Sequence, residues 1–150
     1  MAAAESNGGV VVKTPVHLWI VGVLSLLWNS MGAFDYLASQ LKLEFYMGQF
    51  EPEMLEYFYN IPPWAIGCWA IGVWFAFAGS VGLLLRKRWS MWAFGISIAG
   101  MILNSVYSYI LSNGLEIMGT GGLIFSAVIW VVAFALFFYA RAMCAKGVLT

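Results

Sequence analysis

The chain has 150 residues, is 63% hydrophobic and only 9% charged, and has a mean hydropathy of +0.86. Soluble domains carry about a quarter charged residues, so a soluble fold is excluded and the length allows one domain. Seven basic side chains balance seven acidic ones, and three consecutive basic residues in one turn suffice only for orientation, so nucleic acid is not an expected partner.

Four apolar runs, about 16–38, 63–85, 89–111 and 121–140, each approach or exceed the ~20 residues needed to cross a bilayer. The predicted architecture is all-α: an antiparallel four-helix transmembrane bundle over 15–142 in the lipid bilayer. A flexible cytoplasmic tail over 1–14 precedes it and a cytoplasmic tail over 143–150 follows. Lys13 and the run after Leu18 fit the early parts of a signal peptide. The apolar stretch resumes past Asn29, however, which favours a retained helix.

In the first run Pro15 suits an opening turn, with His17 and Trp19 at the interface. Gly22, Ser25, Asn29, Gly32 and Tyr36 step by three and four, which puts them on one face. Asp35 lies beside this stripe, and Ile20, Leu24, Leu27 and Phe34 form the lipid side. The helix is expected to continue outward through Leu41 and Phe45 and stop at Gly48. A short extracytoplasmic helix then starts at Pro52, with Glu53 and Glu56 favouring its positive end. Tyr46, Phe50, Tyr57, Phe58 and Tyr59 make this segment rich in amphipathic rings, which suits the membrane surface or the bundle mouth. The rings read as interfacial anchors ahead of a platform for stacking a sugar.

Pro62 and Pro63 turn the chain into the second run. It holds no ionisable group and reads as packing, with Cys68, Gly72, Gly79 and Gly82 on a small-residue track. After the turn at Arg86, Lys87 and Arg88, the third run repeats the logic of the first with Ser97, Gly100, Asn104 and Tyr107, and Ser108 one turn after Asn104. Gly119–Gly122 reads as a turn before the fourth run, without the Lys and Ser/Thr of a phosphate loop.

Six of the seven basic residues fall on one side if both termini are cytoplasmic, against Lys42 alone on the other, the positive-inside pattern. Asp35, Glu44, Glu51, Glu53, Glu56 and Glu116 fall outside. Cys68 and Cys144 then lie on opposite leaflets and cannot pair, and neither has metal-ligand neighbours. The first and third runs both travel outward, and Asn29 and Asn104 lie at depths of roughly 20 and 22 Å. The two stripes are therefore expected to converge at one level.

Two readings of that level stand side by side. Asn in a membrane helix is either helix–helix glue or part of a pocket, here lined by Asn29, Asp35, Asn104, Tyr107 and Ser108 with Glu53 and Glu56 at its mouth. An intramembrane carboxylate facing the bundle is a functional candidate by default, whereas one at the boundary snorkels. No nucleophile and base pair up, so neither enzyme activity, a cofactor nor a metal site is expected.

The segments W-N-S-M-G-A-F-D-Y, F-E-P-E-M-L-E-Y-F-Y, I-P-P-W and F-Y-A-R-A-M resemble a family of small four-helix proteobacterial inner-membrane proteins, some of them loosely labelled sugar transporters. The resemblance runs over about 16–149 and implies compartment and helix count, and no functional residue is carried over from it. The leading functional expectation is binding or transport of a small molecule through an outward-facing polar pocket, with a homo-oligomer supplying the path. The alternative is a structural or accessory subunit of a larger membrane complex.

Overall fold

The computed structural model describes residues 12–150, so most of the tail expected over 1–14 lies outside the described residues. The described chain is all-α. It comprises α1 (Val16–Gln40), the short α2 (Glu44–Met47) and α3 (Pro52–Tyr59), α4 (Pro63–Leu84), α5 (Trp89–Val106) and α6 (Gly114–Ala145). A π-helical turn, Tyr107–Leu111, prolongs α5. Four of these helices, α5 being counted with its π turn, are long and apolar enough to cross a membrane, the shortest such span having 22 residues. That is about 33 Å of helix against ~30 Å of hydrocarbon. The protein is an integral membrane protein with two short helices between its first and second long ones.

Three helix ends share one device. Beyond α1, Lys42 takes φ 53° and the Leu43 N–H donates back to the Ala38 carbonyl at 3.0 Å. Beyond α4, Arg86 takes φ 57° and the Lys87 N–H donates to Gly82 at 2.8 Å. Beyond α6, Gly147 takes φ 77° and the Val148 N–H donates to Met143 at 3.0 Å. Such left-handed caps satisfy carbonyls that a helix otherwise leaves bare at the hydrocarbon edge. The first helix accordingly stops at Gln40 instead of running on to Gly48. The Lys42 ammonium lies 4.6 Å from the Tyr59 ring centroid, a cation held over an aromatic face at the boundary.

The fourth long helix starts earlier than its apolar run. Only Ser112 and Asn113 separate it from the π turn, and the helix carries a break at Gly119, φ 65° and ψ −169°. Only glycine visits that conformation readily. The turn expected at Gly119–Gly122 is thus a kink within α6.

Helix α4 occupies the centre, flanked by α1 and α5. The α4–α5 seam runs antiparallel: Gly82 against Trp89 and Ser90, Gly79 under the Phe94 ring, Gly72 against Ser97 and Met101, and Gly100 against Cys68 and Ile71. Ser90 Oγ donates to the Gly79 carbonyl at 2.7 Å and Ser97 Oγ to the Gly72 carbonyl at 2.5 Å. The α1–α4 seam is set by Gly22 against Leu84 and by Asn29. Helix α6 packs on α5, with Phe137 against Gly95, and reaches α1 through Trp28–Phe125 and His17–Tyr139 ring pairs.

The buried apolar core gathers at one end. It joins Leu18, Leu83, Phe94, Leu136, Ala140 and Met143 to Val148 and Leu149. The segment expected to be a tail from 143 onward is therefore helical to Ala145 and then packs into the core. Val12, Thr150 and the Arg86 turn meet at this basic end. Helices α2 and α3 sit at the opposite, acidic end.

Candidate functional site

The polar residues singled out by spacing belong to three separate arrangements. Asn29 is tied to α4. Its Nδ2 donates to the Ala76 carbonyl at 3.1 Å and to Ser80 Oγ at 2.7 Å, and Ser80 Oγ donates to the same carbonyl at 3.2 Å. Both amide hydrogens are thereby engaged. The expected convergence of the Asn29 and Asn104 stripes on each other gives way to a different geometry, in which each stripe faces α4 from its own side. The reason is steric. The glycines at 72, 79 and 82 let α4 approach α5 closely, and α4 also presents Ser80 and Leu84 to α1. Asn104 is half-buried, one turn beyond Gly100 on the same face.

Interhelical hydrogen bonds of this kind average ~0.6 kcal/mol and reach ~1.7 kcal/mol. A double-mutant cycle of Asn29→Leu and Ser80→Ala is expected to give a coupling of about 1 kcal/mol in a reversible unfolding assay in bicelles. A zero coupling would mean that the two side chains do not meet in the membrane.

Asp35 belongs to the second arrangement. Near the acidic end of α1, half-buried, it accepts a hydrogen bond from the Tyr46 hydroxyl of α2. Burial first, then this hydrogen bond and the carboxylate's charge, hold the Tyr46 phenol well above its ordinary value of 10.0. Tyr46 is also edge-on to Phe34 and Phe50, with centroids 5.4 and 5.5 Å away.

The rings continue into the third arrangement. Phe50 meets Phe58, Phe58 stacks on Trp69, and Trp69 meets Tyr36 edge-on at 5.0 Å. A branch passes from Phe58 through Tyr57 to Tyr107, which meets Trp64 at 5.7 Å. Rings of α1, α2, α3, α4 and the π turn thus form one connected network. Each such pair adds about 0.5–1.5 kcal/mol beyond burial, so α2 and α3 are clamped over the bundle end. The rings' edges and faces are engaged with one another, which favours the anchoring reading over a free stacking platform.

The π turn carries Tyr107 and Ser108. Tyr57 and Ser112 hydroxyls lie 2.9 Å apart, and Ser112 Oγ donates to the Ser108 carbonyl at 3.2 Å. Gly114 closes this corner, since a Cβ there would lie 2.5 Å from the Ser108 oxygen and 2.8 Å from the Tyr57 oxygen. Glu53 is exposed and rims an open depression of about 340 Å³ with Gln49, Phe50, Glu51, Met54 and Ile117. Glu56 is exposed and not part of that rim.

Asn29 thus pairs with α4, Asp35 with Tyr46, and Tyr107 and Ser108 with the Tyr57–Ser112 corner, and none of these residues, nor Asn104, rims the depression beside Glu53. Tyr46 and Ser80 are the partners that sequence reasoning missed. Ser80 was legible in principle, because an antiparallel neighbour places it opposite Asn29. Tyr46 was not, because nothing local says that α1 stops at Gln40 and folds α2 back. Among the described residues no three His, Cys, Asp or Glu side chains gather at metal-ligand range. Compared with known proteins, the chain matches no family model, no curated protein and no solved structure.

Proposed function

We propose that the protein is a non-enzymatic structural or accessory subunit of the bacterial inner membrane, acting by lateral contact with another membrane protein. The observation that carries this reading is Asn29, whose amide hydrogens both go to α4. This mid-helix amide of α1 thus holds helices together instead of lining a path. Helix α6 supplies the contact surface. Only 11% of its most apolar stretch is buried within the chain, against 28% for α1 and α4, and Phe125, Val128, Val131 and Phe134 are exposed along it. The location, with both termini cytoplasmic, rests on the six-to-one distribution of basic residues and on the resemblance to small inner-membrane proteins.

Photo-crosslinking residues at Val128 and Val131 test the reading in native membranes, with Ile20 and Leu24 of α1 as controls. One protein adduct, specific to the α6 positions, is expected. A self-adduct would redirect the reading to a homo-oligomer. Adduct-free α6 positions, together with a solute that co-purifies stoichiometrically and raises the melting temperature, would overturn it in favour of small-molecule transport. That second reading keeps one specific support, the open depression beside Glu53.

A further inference from the structure

The basic end carries an open depression of about 410 Å³, lined among others by Thr14, Leu85, Arg86, Lys87, Val148 and Thr150. Its shape is set by backbone. Arg86 ends α4 with φ 57°, the Lys87 N–H donates to Gly82 at 2.8 Å, and the Thr150 N–H donates to the Arg86 carbonyl at 3.0 Å. Two adjacent cations are thereby presented on a turn that the end of α4, the start of α5 and the chain beyond α6 hold together.

Among side chains the charge at this turn is one-sided, with the single α-carboxylate of Thr150 on the same rim set against the Arg86 and Lys87 cations. Within 12–150 the acidic residues are Asp35, Glu44, Glu51, Glu53, Glu56 and Glu116, all placed toward the other end of the bundle. Arg88, Arg141 and Lys146 add to the positive field at the basic end, where the hydrocarbon beneath the surface keeps that field strong. An anion is the ligand such a site favours. The hydroxyls of Thr14 and Thr150 add neutral donors to the same rim.

What lies beside the depression decides the kind of anion. The Arg86 guanidinium sits 5.7 Å from the Trp19 ring, and Val16, Trp19, Ile20 and Leu85 are all more than 40% exposed on the adjoining surface. A polar seat at the headgroup level thus continues into an apolar face on α1. We propose that this is a binding seat for an anionic phospholipid: Arg86 and Lys87 hold the phosphate, the threonine hydroxyls complete its contacts, and the acyl chains descend along α1 past Trp19. Free phosphate would satisfy the cations but would leave the apolar face unused.

The test is native mass spectrometry of the full chain in mild detergent, titrated with phosphatidylglycerol, phosphatidylethanolamine or inorganic phosphate. Wild type is expected to retain one phosphatidylglycerol well above the level for phosphatidylethanolamine. Arg86→Gln with Lys87→Gln is expected to weaken retention about 30-fold, whereas Arg141→Gln with Lys146→Gln, on the same end, changes it less than about threefold. Arg86→Lys keeps the charge and restores retention. Because Arg86 also ends α4, Lys87→Gln alone guards against misfolding and is expected to lose about fivefold. Equal losses for the two double variants would overturn the proposal, as a diffuse field would then explain the binding. Equal retention of both lipids, or displacement of phosphatidylglycerol by equimolar inorganic phosphate, would overturn it as well.

Discussion

Gly100→Ala is expected to lower the melting temperature of the purified protein by about 3–10 °C, from about 1–3 kcal/mol of overpacking. A Cβ at Gly100 would stand 2.8 Å from the Gly72 nitrogen, 2.9 Å from the Cys68 carbonyl oxygen and 2.9 Å from the Ile71 side chain. Two of those three atoms are backbone, so no rotamer change relieves them and α4 must move away from α5. That separation also stretches the bond from Ser97 Oγ to the Gly72 carbonyl. Gly67→Ala, on the same seam's partner helix, is the control. Nothing lies within 4 Å of its added Cβ, and alanine is the better helix former by roughly 0.5–1 kcal/mol, so its melting temperature should hold or rise. Equal losses from both variants would mean that α4 and α5 do not approach at Gly100.

That contrast explains how far the sequence could be read. Membrane helices must satisfy their backbone internally, so an apolar run of about 20 residues announces a helix almost irrespective of its neighbours. Helix number and alternation followed from that constraint alone. The stripes were legible in part: Gly22, Asn29 and Tyr36 all meet α4, because spacing by three and four fixes a face on any helix, but a Cβ at Gly32 on the same stripe would meet nothing within 4 Å. Which helix covers the face is a different matter. A period says where a side chain points along its own axis, and nothing in it says that α4 stands between α1 and α5.

Helix ends were read less well than helix bodies, for a related reason. Gly48 looked like a stop and Lys42 did not, yet the left-handed residue is Lys42. Lysine adopts that conformation at some strain, and here the strain is offset by two backbone hydrogen bonds and by the ammonium's place over Tyr59. The early stop folds α2 back onto α1. Asp35 consequently meets Tyr46, a residue whose ring suggested an interfacial anchor or a stacking surface and no partner for a carboxylate.

The Asp35–Tyr46 contact gives the other large expected effect. Tyr46→Phe keeps the ring and its packing on Phe34 and Phe50 but removes the only donor that Asp35 has among the described residues. A half-buried carboxylate left without a donor costs about 1–3 kcal/mol or more, and the loss falls on the contact that holds α2 against α1. Amide hydrogen exchange over 44–59 is expected to quicken at least about tenfold, while the core around Phe94 and Leu136 changes little. Asp35→Asn retains an acceptor oxygen for Tyr46 and removes a charge from a half-buried place, so its effect should be the smaller one. The pH dependence carries the same sign. Tyr46 is held above its ordinary 10.0 by burial and then by Asp35, so the folded state favours the neutral phenol. Its contribution is complete below pH ~10, where tyrosine in the unfolded chain begins to ionise. Above that it declines, and it is lost as pH rises through the folded value. Wild type should therefore lose stability in alkaline solution more steeply than Tyr46→Phe, as read by melts from pH 8 upward. Parallel alkaline curves for the two proteins, or an Asp35→Asn variant whose residues 44–59 exchange faster than those of Tyr46→Phe, would show that this hydrogen bond does not hold α2 in place.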